Sequence, residues 1–185
     1  MISTGKSTIG QPGALTQRQF IEQLIRVNHA GEYGAKRIYA GQMAVLKDSP
    51  VYGTIKHMAE QEDVHLEYFS NEIINRRVRP TALMPVWHLA GFAMGAVTAM
   101  IGKKAAMACT VAVEEVIDEH YRQQLAELGG NEPALQEKIE QFRAEEVEHK
   151  NIGLANNAEN AVAYTVLHMA VRNATKLAIF LSKSL

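Results

Sequence analysis

Residues 140–153 read "EQFRAEEVEHKNIG", four glutamates and one histidine in a stretch that otherwise has the pattern of a helix. Glu146 and His149 stand three residues apart, so a helix turns both toward the same side, together with Ile139 and Phe142. A solvated acidic face would explain the charges, but not the apolar company of that one pair. Glu145, Glu148 and Lys150 suit such a face. Glu146 and His149 fit the inward one.

The same oddity recurs on three other helical stretches. Positions seven or eleven apart lie within about 20° on a helix. Glu32 shares its stripe with Ile21, Ile25, Tyr39, Met43 and Leu46. Glu62 shares one with Ile55, Met58, His65, Leu66, Phe69 and Ile73. Glu114 falls in line with Met107, Val111, Ile117, Tyr121 and Leu125. A carboxylate on a core-facing stripe is costly unless it is paired or binds a metal. Glu32 precedes Glu62 by 30 residues and Glu114 precedes Glu146 by 32, and His65 and His149 each follow the second glutamate by three. A chain with 17 Glu and 7 His holds about 0.6 Glu-x-x-His pairs by chance, so one copy says little. Two copies, each with an inward glutamate one helix earlier, are the pattern of a carboxylate-bridged dinuclear site inside a four-helix bundle. Four carboxylates and two imidazoles favour iron or manganese over the small tetrahedral shell of zinc.

The rest of the chain reads as helix. Thr16 caps a helix running to about Leu46, closed by "KDSP". Ser49-Pro50 opens a second, to about Arg77. A third long helix covers about 104–128 and stops at Gly129-Gly130. Asn131 to Pro133 begin a fourth, to about Asn156, and a last helix covers about 160–183. No strand alternation appears, so the class is all-α, a four-helix bundle with additional apolar and amphipathic helices. At 185 residues the chain forms one domain, residues 15–185, behind a flexible lead-in of residues 1–14 with neither signal-peptide nor transit-peptide character.

Residues 82–102, "ALMPVWHLAGFAMGAVTAMIG", carry no Asp, Glu, Lys or Arg. That is long enough to span a bilayer, yet Pro85 and its glycines and alanines fit a buried or interfacial helix better. "RRVR" at 76–79 and Lys103-Lys104 bracket it. On the last helix Arg172, Lys176 and Lys183 lie within about 40° of each other, largely opposite Leu167, Val171, Leu177 and Leu181. A basic stripe of this kind suits an anionic membrane surface. Net charge is −1, which recruits no nucleic acid. The single Cys109 lies in an apolar run as an inert core thiol and points to a reducing compartment. His120 and Asp118 are candidates for supporting the site, His120 and Tyr121 for a substrate role, while Tyr39 and Tyr121 also suit the core. His29, His57, His88 and His168 read as hydrogen-bonded structural residues.

Four stretches carry a resemblance: "RVNHAGEYGAKRIYAGQMAVL" (26–46), "AEQEDVHLEYF" (59–69), "ACTVAVEEVIDEHY" (108–121) and "FRAEEVEHKNIGL" (142–154). They look like the demethoxyubiquinone hydroxylase family of ubiquinone biosynthesis, over about residues 15–185. The resemblance implies a ferritin-like fold and a di-iron monooxygenase that uses O2 and a reductant, NADH or another, to hydroxylate the ring of a demethoxy polyprenyl quinol. It places the iron ligands on Glu32, Glu62, His65, Glu114, Glu146 and His149, with Glu62 and Glu146 as bridges. It also implies a peripheral membrane protein, on the cytoplasmic side of a bacterial cell membrane or at the mitochondrial inner membrane in a eukaryote, with a partner protein or oligomer possible. Three alternatives compete. A rubrerythrin-type protein would add a Cys-x-x-Cys pair that one cysteine cannot supply. A tRNA-modifying hydroxylase would want a basic face. A scaffold would pair its buried carboxylates with Lys or Arg.

Overall fold

The computed structural model describes residues 15–184, so the lead-in read over residues 1–14 lies outside the described residues. Six helices follow one another: α1 (Gln17–Leu46), α2 (Tyr52–Asn75), α3 (Met84–Ile101), α4 (Lys103–Leu128), α5 (Pro133–Ala155) and α6 (Tyr164–Ser184), with a 3-10 turn at Ala158–Asn160 before the last. Local chemistry sets most of the boundaries. Thr16 Oγ1 accepts the Gln19 amide while the Gln19 side chain accepts the Thr16 amide, a reciprocal cap at the expected place. Gly129 takes the left-handed conformation that ends α4 (φ 55°). Two boundaries differ from the sequence reading. Ser49 to Val51 form a turn rather than the first residues of α2, and α2 ends at Asn75 because Arg77 turns left-handed (φ 54°). There Val78 N–H reaches the Ile73 carbonyl at 2.9 Å and Arg77 N–H the Ile74 carbonyl at 3.2 Å, a Schellman ending closed without glycine. The last helix begins at Tyr164 because Asn157 and Ala163 both have positive φ, which breaks the helix expected from about residue 160.

Short connections make α1–α2 and α4–α5 into hairpins, and the two pair through α1–α4 and α2–α5 as the bundle. The third pair, α3 and α6, lies over the α1–α4 side: α3 packs on α1 and α4, α6 on α4 and α1. The helices thus form three layers, α2–α5, α1–α4 and α3–α6. At one end of the bundle Phe20, Ile25, Phe69, Leu128, Ile139 and Phe142 form a closed apolar cluster. At the other end Ile55, Met58, Met107 and Val111 form a second. Cys109 is fully buried, and burial pushes its thiol up to about 12, the inert group the sequence suggested.

The apolar segment 82–102 becomes α3, and its glycines explain its fit. A Cβ at Gly95 would lie 1.9 Å from the Ile38 carbonyl oxygen, and one at Gly91 2.9 Å from that of Gly34; a Cβ at Gly41 would lie 2.2 Å from that of Phe92. Helices α1 and α3 therefore touch backbone to backbone along a seam of small residues. Only 22% of α3 is buried, so it is no core helix. Gly95→Ala is expected to destabilise the fold by at least about 1–3 kcal/mol. Gly53→Ala, where a Cβ meets nothing within 4 Å on α2, should stabilise it by about 0.5–1 kcal/mol. Thermal unfolding of the two variants checks the contrast.

Candidate metal centre

Between the two end clusters the four inner helices bring their glutamates together. Glu32 comes from α1, Glu62 and His65 from α2, Glu114 from α4, and Glu146 and His149 from α5; all six side chains are buried. They form two overlapping groups, each able to hold a metal ion: Glu32, Glu62, His65 and Glu146, and Glu62, Glu114, Glu146 and His149. Glu62 and Glu146 belong to both. His65 Nδ1 lies 3.7 Å from Glu62 Oε2 and 3.2 Å from Glu146 Oε1, and His149 Nδ1 lies 3.2 Å from Glu62 Oε1 and from Glu146 Oε2. Each of these two carboxylates therefore turns one oxygen toward each imidazole, the geometry of a bridge.

The cluster is short of partners. Both oxygens of Glu62, one each of Glu114 and Glu146, and Nδ1 of both histidines are buried without a hydrogen bond. Among the described residues no Lys or Arg pairs with any of the four glutamates, so the pairing that the scaffold alternative requires is not met. Unpartnered buried oxygens and nitrogens in this proportion fit two divalent ions, which would take up the free lone pairs and the negative charge at once.

Two tyrosines grip the remaining carboxylates. Tyr39 Oη donates to Glu114 Oε1 at 2.9 Å, and Tyr121 Oη donates to Glu32 Oε1. Burial, followed by the neighbouring carboxylates, raises both phenols well above their ordinary value, so they stay protonated as donors. The sequence had placed both on the right stripes without assigning the contact. Gln61 Oε1 lies 3.0 Å from His149 Nε2, and Glu145 Oε2 lies 2.6 Å from His65 Nε2. Glu145 corrects an expectation. It was read as facing water, yet it leans back across the α2–α5 contact onto His65. Asp118 is also corrected: its Oδ1 holds Arg143 Nε at 2.6 Å and does not orient a cluster residue. His120 sits outside the cluster, 2.8 Å from Gln124 Nε2, in a small cavity with Phe20 and Lys183, where burial and then Lys183 hold its pKa down to about 4. His88 meets Tyr33 Oη at 2.6 Å and His168 meets Glu115 at 3.0 Å, as structural histidines would. His57 is exposed, and half-buried His29 keeps its Nδ1 without a partner, so neither is the hydrogen-bonded structural residue expected from the sequence.

The basic stripe of α6 is the last correction. Arg172 lies 3.3 Å from Glu115 and 3.5 Å from Glu119, and Lys176 lies 3.9 Å from Glu119. Arg172, and more loosely the half-exposed Lys176, thus tie α6 to α4. Both α3 and α6 also expose large apolar side chains: Val86, Leu89, Val97, Met100 and Ile101 on one, Val166, Met169, Leu177 and Phe180 on the other. Between them, over α1 and α4, opens a cavity of about 320 Å³ lined by Gly31, Gly34, Ile38, Trp87, Ile117 and Leu181 among others.

Fold and cluster together define a ferritin-like helical protein with a candidate dinuclear carboxylate centre beside an apolar cavity. The sequence pattern described as "Ubiquinone biosynthesis protein COQ7" matches residues 19–182, and the chain belongs to that family. It is 50% identical over 173 residues to a 3-demethoxyubiquinol 3-hydroxylase of Rhodospirillum rubrum, covering 93% of this chain and 82% of the relative. It is 50% identical over 172 residues to the human mitochondrial NADPH-dependent 3-demethoxyubiquinone 3-hydroxylase, covering 91% and 79%. To the Saccharomyces cerevisiae mitochondrial 5-demethoxyubiquinone hydroxylase it is 40% identical over 181 residues, covering 89% and 78%. The chain is accordingly an enzyme of the hydroxylase class.

The protonation of the metal-free cluster makes a prediction. Burial raises Glu32 to about 8 and Glu114 well above the carboxylate range. Burial alone would lower His149 and His65, but Glu146 and Glu62 hold His149 at about 11, and Glu146, Glu32 and Glu62 raise His65 as well. Burial also acts to raise Glu62, but pairing with His149 and His65 wins and holds it near 2. Four of these groups bind protons more tightly folded than unfolded, so the stability they contribute is present at low pH and lost as pH rises through their folded values. The melting temperature of the metal-free protein should fall between about pH 5 and pH 9. With divalent metal bound, those protons are already displaced and the decline should be much shallower.

Proposed function

We propose that this enzyme hydroxylates the ring of a demethoxy polyprenyl quinol in ubiquinone biosynthesis, with two iron ions held by Glu32, Glu62, His65, Glu114, Glu146 and His149. The observation that carries the reading is the sharing of Glu62 and Glu146 between two buried ligand groups. When bound as ferrous iron, the pair supplies the two electrons that let one oxygen atom of O2 enter the ring while the other leaves as water. Glu62 and Glu146, which belong to both ligand groups, would hold both ions. Glu32 and Glu114 would each complete one group, steered by the hydroxyls of Tyr121 and Tyr39. The imidazoles present Nδ1 inward because Glu145 and Gln61 hold their Nε2 atoms.

The apolar cavity supports a quinol substrate. Its walls are almost wholly aliphatic and small, they adjoin Glu32 through Gly31 and Glu114 through Val113, and its volume falls in the range of small-molecule sites. A ring enters such a cavity with loss of its water shell, which also keeps solvent from the oxidising step. The exposed apolar sides of α3 and α6 flank the cavity, so a polyprenyl tail could leave it directly into a lipid phase. This supports a peripheral seat on a bilayer, the cell membrane of a bacterium or the mitochondrial inner membrane of a eukaryote. The human relative is named for NADPH, which makes a reduced nicotinamide the first electron donor to supply.

Two substitutions test the reading. Glu62→Ala should abolish both the uptake of a coupled metal pair and hydroxylation of a short-chain demethoxyquinol under O2 and reductant; retention of both would refute the ligand set. Gly34→Leu has space at its Cβ and projects into the cavity. It should leave iron content and melting temperature near wild type while cutting hydroxylation at least about 10-fold through a raised KM or lost turnover. Mass analysis of the quinol product and metal analysis of the same sample read both.

A further inference from the structure

The cluster is nearly two-fold symmetric. On α1 and α4 each inward glutamate has a tyrosine seven residues on, and each tyrosine holds the other helix's glutamate: Tyr121 holds Glu32, Tyr39 holds Glu114. On α2 and α5 the residue just before each shared glutamate crosses to the opposite histidine. Gln61, before Glu62, meets His149; Glu145, before Glu146, meets His65. Of the five corresponding residues in each half, four are the same: inward glutamate, tyrosine, shared glutamate and histidine. The fifth differs: one imidazole has a carboxylate behind it and the other a neutral amide.

That difference acts on the inward nitrogens. A carboxylate accepting an imidazole N–H forms a charge-assisted bond, at 2.6 Å here against 3.0 Å for the amide. Such a bond leaves the opposite ring nitrogen a stronger donor to a cation. Glu145 is held in place for this: Gln141 Nε2 donates to its second oxygen at 3.0 Å, and its side chain is only 25% exposed. Given the ligand set proposed above, we infer that Glu145 makes the two metal positions unequal, so that a first divalent ion enters the Glu32–His65 half and a second, weaker one fills the Glu114–His149 half. Glu145 touches neither metal nor substrate; it is a positioning residue that sets the order of assembly.

Anaerobic calorimetric titration of the metal-free full chain with Mn²⁺ and then Fe²⁺ reads the two affinities. Nitrogen-15 imidazole NMR of the histidine-labelled protein at substoichiometric Zn²⁺, a diamagnetic ion that shifts only the ring nitrogen it ligates, reads which ring the first ion occupies; a paramagnetic ion would broaden both rings, which lie 6.5 Å apart. The wild type should show two steps about 10- to 100-fold apart, with the His65 nitrogen shifted before that of His149. Glu145→Gln keeps the size and the hydrogen-bond acceptor, and should weaken the tight step until the two merge. Gln61→Glu should strengthen the weak step and abolish the order of shifting. Equal steps in the wild type, His149 shifting first, or a Glu145→Gln protein whose two steps are unchanged or weakened by the same factor would overturn the inference. A wild type that takes up no metal pair at all would remove the ligand set itself and the inference with it.

Discussion

Everything in this structure is arranged around four buried carboxylates that no lysine or arginine among the described residues pairs with. Negative charge in a low-dielectric interior must be neutralised, and only protons or metal cations can reach it there. Without metal, protons serve: burial raises Glu32 and Glu114 so that they hold theirs, and the carboxylates keep both histidines charged. Two divalent ions would serve with a second benefit, because they would also use the oxygens and nitrogens that protons leave without partners. The apolar clusters at both ends of the bundle keep the helices from relaxing to let solvent in. Without them the carboxylates would hydrate separately and the shared geometry of Glu62 and Glu146 would be lost.

The fold achieves this with one hairpin used twice. Glutamate, then tyrosine seven residues on, then a second helix with a polar residue, glutamate and histidine: the same order runs through α1–α2 and through α4–α5. Because each tyrosine and each crossing residue serves the opposite hairpin, neither half completes its own site. The halves are thereby tied together by polar contacts as well as by packing, and a bundle with one hairpin displaced would leave several buried groups unpaired. That interdependence gives the centre its rigidity.

The elements that sequence made legible were those that depend on period and spacing alone. The four stripes, the two Glu-x-x-His pairs and the glycine stop of α4 are local properties, and all appear where spacing put them. Glu145 was not legible for a plain reason. It lies about 100° round the helix from Glu146, on the side a lone helix would give to water, and only the neighbouring α2 supplies its partner. A signal was present in the matched position of Gln61, one residue before the other shared glutamate. The α6 stripe failed differently: periodicity shows that Arg172 and Lys176 share a face, but not what that face meets. Glu115 and Glu119, four apart on α4, were the complementary pair. The apolar segment was read for its hydrophobicity, whereas Gly91 and Gly95 matter through the backbone approach they permit to α1.

The three layers divide the labour of the site. Both histidines, with Glu145 and Gln61 behind them, belong to the α2–α5 layer, whose far side meets water. The apolar cavity lies against the opposite face of the α1–α4 layer, under α3 and α6. In the function proposed above, the centre would be tuned electrostatically from one side and approached by substrate from the other. A charge placed on the cavity side would be costly to desolvate and would compete with an apolar ring for the same walls, so the polar adjustment has to come from behind the imidazoles. The same separation explains why the α1–α3 seam is built from glycines. Bulkier residues there would push α3 outward and open the cavity to solvent, and the small side chains let the covering layer sit close to the glutamates it must keep dry.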